Sequence, residues 1–159
     1  MTVQVHIENN GLGAIAILKY DVSAEDFFQE TDRFYQSPDF LRMRYFIYQT
    51  SDLDSVKVDM TTLRRIAERD KAAAAKVPGF QISVVAQSEF LQALAHVWQD
   101  IASSDNLRTK LFESLAEARA WVETACVQDR MVKYWADKHQ RQIASVQAEY
   151  LATLPSLAS

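Results

Sequence analysis

The hydrophobic period of this chain switches repeatedly between two and about 3.6, and that alternation limits its fold more than any other feature. Val3, Gln4, Val5, His6 and Ile7 alternate apolar and polar residues as a half-buried strand does. Asn9-Asn10-Gly11 tolerates positive φ, and the apolar run Ala14 to Leu18 follows at once, so an antiparallel hairpin is expected. Ser23 then caps a helix predicted over about Ala24 to Gln36, with Phe27, Phe28, Thr31 and Phe34 on one face and Ser37-Pro38 as its stop. Met43 to Tyr48 is β-prone and suits a central strand ending at Gln49 or Thr50.

From Thr50 to Val58 the sequence is short, polar and turn-rich, and it reads as a loop leading to a helix opened by Asp59. That helix runs through Leu63, Ile66 and Ala67 to Pro78-Gly79. Phe80 to Ala86 has the length of a buried strand. Ser88 and Glu89 open a helix with Leu91, Leu94, Ala95 and Trp98 on one face, ending near Ser103. Leu107 to Phe112 reads as an edge strand, and Ser114 with Glu117 forms a capping box for a helix carrying Leu115, Ala118, Trp121, Val122 and Ala125. Trp121 is expected in the core. Regular alternation of this kind implies an α/β fold with a mixed, mostly parallel five-stranded sheet and covering helices.

Size and composition agree with that reading. A chain of 159 residues is expected to bury about 70% of its unfolded surface, enough for one core. With 48% hydrophobic residues, three Gly and three Pro, it is neither disordered nor rich in linkers. A formal charge of −4 argues against a surface built to neutralise many phosphates, so no nucleic acid is expected. The lone Cys126 and the lack of a secretory pattern favour a reducing cytoplasm. The longest apolar runs are too short to span a bilayer, although peripheral membrane contact remains open.

Beyond Gln128, residues Val132, Ala136, His139, Ile143, Val146 and Tyr150 recur at alternating steps of four and three. This C-terminal helical extension, residues 129–159, either covers the parent domain, residues 1–128, or pairs with a second copy as a homodimer.

Catalytic constellations are incomplete. Gly11-Leu12-Gly13 lacks the third glycine and the following helix of a dinucleotide loop. His6, His96 and His139 have no partner at zinc-site spacing, so neither a metal nor any other cofactor is expected. Cys126 reads as a small buried side chain. Asp52, Asp54 and Asp59 gather near one loop but miss the glycine and the closing glutamate of a calcium loop. Arg64, Arg65 and Arg69, with Lys71 and Lys76, make the next helix basic. That is either a solvated face or a site for an acidic partner or lipid headgroup.

Three segments taken in order carry a family resemblance: Ser37-Pro38-Asp39-Phe40 before a strand, Pro78-Gly79 before QISVVAQSEF, and Phe112-Glu113-Ser114 followed by Glu117-Ala118-Arg119-Ala120-Trp121. Over roughly residues 3 to 126 the chain resembles the SpoIIAA-like branch of the STAS fold. The resemblance implies a four-helix, five-strand domain that binds or switches rather than catalyses. Relatives of this kind carry a phosphorylatable serine just after an aspartate at a helix start. Here the matching stretch is Asp59-Met60-Thr61-Thr62-Leu63, with Met60 in the place of that serine, which leaves Thr61 and Thr62 as candidate phosphate acceptors.

The expected function is therefore a non-enzymatic STAS-like interaction or regulatory module with a protein partner. Its candidate surface is Thr50, Ser51, Asp52, Asp54, Asp59, Thr61 and Thr62 together with the basic helix. The alternative is a carrier or sensor of a small apolar or lipid-like ligand, because Phe27, Phe28, Phe34 and Trp98 are bulky enough to leave a cleft between them.

Overall fold

A computed structural model describes residues 3–56 and 59–154. Strands β1 (Val3–Glu8) and β2 (Gly13–Val22) form the opening antiparallel hairpin, and α1 (Ala24–Gln36) leads to β3 (Tyr45–Val56). Then come α2 (Met60–Ala74), β4 (Phe80–Val85), α3 (Glu89–Ala102), β5 (Leu107–Phe112) and α4 (Leu115–Thr153). The five strands lie in the order β1-β2-β3-β4-β5, and every pair after the first is parallel. The fold is thus α/β with a mixed, mostly parallel sheet.

Local chemistry accounts for the element boundaries. Asn9, Asn10 and Gly11 all take positive φ in the hairpin turn, which glycine and asparagine adopt at least cost. Ser23, Asp59, Ser88 and Ser114 each accept a hydrogen bond from a backbone N–H three residues on, satisfying amides that the first helical turn leaves free.

Two expectations are corrected. The segment from Thr50 to Val56 is not a loop: β3 continues through it, paired with the second half of β2 from Lys19↔Asp52 to Val22↔Val56 across two register irregularities. The ten-residue β2 supplies backbone partners that outweigh the turn-rich composition. Lys57 and Val58, the end of the expected loop, lie outside the described residues. The helical stretch beyond Gln128 is also not an element of its own: it continues α4, which has neither glycine nor proline from Leu115 to Thr153 to stop it.

The chain divides into two units, Met1–Ala125 and Cys126–Ser159. Within the first, strand parity separates two buried faces. Ala14, Ala16, Leu18, Phe46, Tyr48, Ile82 and Val84 point into one aromatic-rich core shared with α1, α2 and α3. Phe34 and Phe46 stack there at 4.7 Å, flanked by Phe40 and Tyr48. Ile15, Tyr45, Ile47, Gln81, Ser83 and Val85 are buried on the opposite face. The start of α4 covers that side: Ala118 and Val122 are buried, Arg119 pairs with Glu8, and Trp121 meets Phe112. The Tyr45 ring crosses Gly13, where any Cβ would overlap it, and its hydroxyl donates to Glu8 at 2.8 Å.

In the second unit the helix leaves its apolar residues in solvent. Met131, Tyr134, Trp135, Ile143, Val146, Tyr150 and Leu151 are all exposed, as is His139. Tyr134 and Trp135 meet edge to face, and Lys138 lies over the Trp135 ring. The side chain of Val132 lies outside the description. No helix among the described residues is long and apolar enough to cross a membrane.

Candidate functional site

The parallel strands β2, β3 and β4 point their carboxyl ends the same way, and α1, α2 and α3 follow them at that side of the sheet. Beyond Gln49, β3 has lost its partner β4 and keeps only β2, so the two strands project as an arm. Between the arm and the helices lies a cavity of about 120 Å³.

Each element gives the cavity an apolar wall. Leu18, Val22 and Leu53 come from the arm, Phe27 from α1, Leu63 and Ile66 from α2, and Leu91, Leu94, Ala95 and Trp98 from α3. The spacing Leu63, Ile66 and Leu91, Leu94, Ala95, Trp98 is the helical stripe read from sequence, so the stripe that makes the core also makes the cavity.

Four lining residues carry polar side-chain atoms, and each is bonded within the protein. Ser23, at the rim, accepts from the Asp26 N–H at 3.1 Å. Thr50 Oγ1 donates to the Val85 carbonyl at 2.6 Å. Tyr48 Oη donates to Asp70 Oδ1 at 2.8 Å, and Trp98 Nε1 donates to Asp70 Oδ2 at 2.8 Å. What faces the space is almost wholly hydrocarbon.

Asp70 is the chemical centre behind this wall. It is 2% exposed, and Tyr35 Oη adds a third donated bond to Oδ1 at 2.6 Å. Burial raises its pKa from 3.8 to about 6, against the lowering effect of the three donors and of Arg69. Burial, and then the Asp70 charge, push both tyrosines well above their ordinary value, so they remain hydroxyl donors. One carboxylate thus ties α2 to α1, β3 and α3.

The residues singled out from sequence are spread rather than gathered. Thr50 is buried and lines the cavity. Ser51 donates to Gln49 Oε1 through both its amide and its hydroxyl, and Asp52 is exposed on β3. Asp54 lies on the same strand, with its side chain outside the description. Asp59 caps α2 by accepting from the Thr62 N–H at 2.7 Å, and those bonds lower its pKa. Thr61 is exposed and Thr62 half-buried. Among the described residues no three His, Cys, Asp or Glu side chains are placed to hold a metal ion.

Arg64 and Arg65 are exposed, and the Arg65 guanidinium sits 4.3 Å from the centre of the Phe28 ring. Arg69 shares that ring at 4.5 Å and pairs with Asp32, so it is turned toward α1. Of the four rings expected to leave a cleft, Phe27 and Trp98 line the cavity, whereas Phe28 and Phe34 pack elsewhere.

A scan against protein-family models finds no match for this chain, and a search of curated proteins finds none.

Proposed function

We propose that the protein is a non-catalytic, STAS-like binding module whose cavity at the ends of β2, β3 and β4 takes a small apolar molecule or the apolar end of an amphiphile. The observation that carries this reading is an open-mouthed, apolar-walled space inside the core, with every polar side chain at its wall already bonded to protein. Interiors normally close such voids. A preformed apolar space of comparable size, roughly 150 Å³, holds benzene in other proteins.

Calorimetric titration with benzene tests the reading. The wild-type protein is expected to bind it, and Ala95→Leu, which adds bulk at the wall, is expected to lose that binding while keeping its far-ultraviolet circular dichroism. Equal heats from the two proteins would place benzene somewhere other than the cavity.

A protein-docking role for the start of α2 has separate support. Met60 is 53% exposed, so it offers a partner an apolar contact at the helix start, and Thr61 beside it is open to solvent. Phosphate on Thr61 would sit at a helix N-terminus, which tolerates added negative charge while offering a partner a new one.

A further inference from the structure

We propose that Asp70 is the specificity-determining residue of the cavity: by holding the Tyr48 hydroxyl and the Trp98 indole N–H, it restricts the occupant to hydrocarbon. This rests on the reading of the cavity as a ligand site and adds what that site rejects.

Tyr48 and Trp98 both line the space, and each carries a hydrogen-bond donor that could have served a polar ligand. Instead both donors reach back to a carboxylate that is not itself part of the lining. Tyr35 and Tyr48 converge on Oδ1 and Trp98 occupies Oδ2, so the ionised carboxylate, an acceptor at both oxygens, serves all three donors at once. A ligand that offers this wall a hydrogen-bond acceptor would lose its bonds to water and find the Tyr48 and Trp98 donors already held by Asp70, a penalty of about tenfold or more in affinity by the usual cost of an unpaired buried polar group.

Placing a donor at the Oδ2 position of Asp70 weakens that exclusion. With its oxygen kept on the two tyrosines, the side-chain amide introduced by Asp70→Asn turns an N–H toward Trp98 Nε1, and a carboxyl protonated on Oδ2 is a weaker acceptor for the same indole. The indole N–H is then left seeking an acceptor at the cavity wall. Phenol can supply one and benzene cannot.

Benzene and phenol are therefore the probes, compared by calorimetry on the full chain. Wild-type protein at about pH 7.5 is expected to prefer benzene by about tenfold or more, and Asp70→Asn is expected to narrow that ratio by about fivefold. The same narrowing is expected in wild-type protein as the pH falls through about 6, where Asp70 takes up its proton. The groups facing Asp70 are Tyr35 from α1, Tyr48 from β3, Trp98 from α3 and Arg69 beside it on α2. Both tyrosines stay protonated and Arg69 stays charged over that range. Trp98→Phe, which lacks the indole N–H, is expected to show a weaker pH dependence and serves as the second variant should Asp70→Asn not fold.

A preference for benzene that is unchanged in Asp70→Asn and flat with pH in wild-type protein would overturn the role given to Asp70 and leave the cavity as a ligand site. Failure of wild-type protein to bind benzene at any pH would overturn the ligand-site reading, and the role of Asp70 with it.

Discussion

The two faces of the sheet solve the same burial problem differently. On one, three helices bring Phe27, Phe34, Phe46, Tyr48 and Trp98 against the strands, and a buried carboxylate lies among them. On the other, α4 covers the strands with small residues such as Ala118 and Val122, and the contact is pinned at its margins by Arg119–Glu8 and Trp121–Phe112. Beside the strand ends the side chains of α1, α2 and α3 leave a space between them, and there the aromatic face opens. Large rings thus contribute both to this core and to its apolar opening.

If the aromatic face carries most of the stability, truncating its centre should have the largest effect. Phe46 is fully buried and touches Phe34, Tyr35 and Tyr48. Phe46→Ala is expected to lower the unfolding free energy by about 3–5 kcal/mol, read from urea denaturation.

The next effect belongs to the same face and depends on pH. The folded-state pKa of Asp70 lies above its unfolded value, so protonation favours the fold. Its contribution is fully present below about 3.8 and is lost as pH rises through about 6. The loss amounts to about 3 kcal/mol for a shift of this size. Asp59, whose pKa is lowered, acts in the opposite sense and below this window. Urea midpoints measured between about pH 4 and about pH 7.5 should therefore fall in wild-type protein relative to Asp70→Asn. Parallel curves would show that the buried carboxylate does not titrate as its surroundings require.

The smallest expected effect is on the α4 face. Trp121, read from sequence as a core ring, is only half-buried against Phe112. Trp121→Ala should cost about 1–2 kcal/mol, less than Phe46→Ala. Equal losses would mean that the two faces share the core evenly.

What could be read from the sequence follows from how local each cause is. The caps Ser23, Asp59, Ser88 and Ser114 act within three residues, and the Asn9-Asn10-Gly11 turn acts within itself, so both were legible. The extension of β3 was not, because a polar stretch becomes strand only when β2 offers it a backbone partner from more than 30 residues away. The cavity was half legible: Phe27 and Trp98 were flagged for bulk, but the walls contributed by Leu18, Val22 and Leu53 depend on the same arm. Asp70 went unnoticed in the charged run Arg64 to Lys71, since its three donors lie 22, 28 and 35 residues away. One signal was available. Leu63, Ala67, Asp70 and Ala74 share one face of α2, which puts an acid on the apolar stripe.

The most direct test of a preformed apolar site is a crystal of the protein pressurised with xenon. The account expects one strong xenon peak enclosed by Leu18, Phe27, Leu94 and Trp98, and none in crystals of Ala95→Leu. A cavity empty of xenon in wild-type crystals, or filled by ordered water, would contradict it.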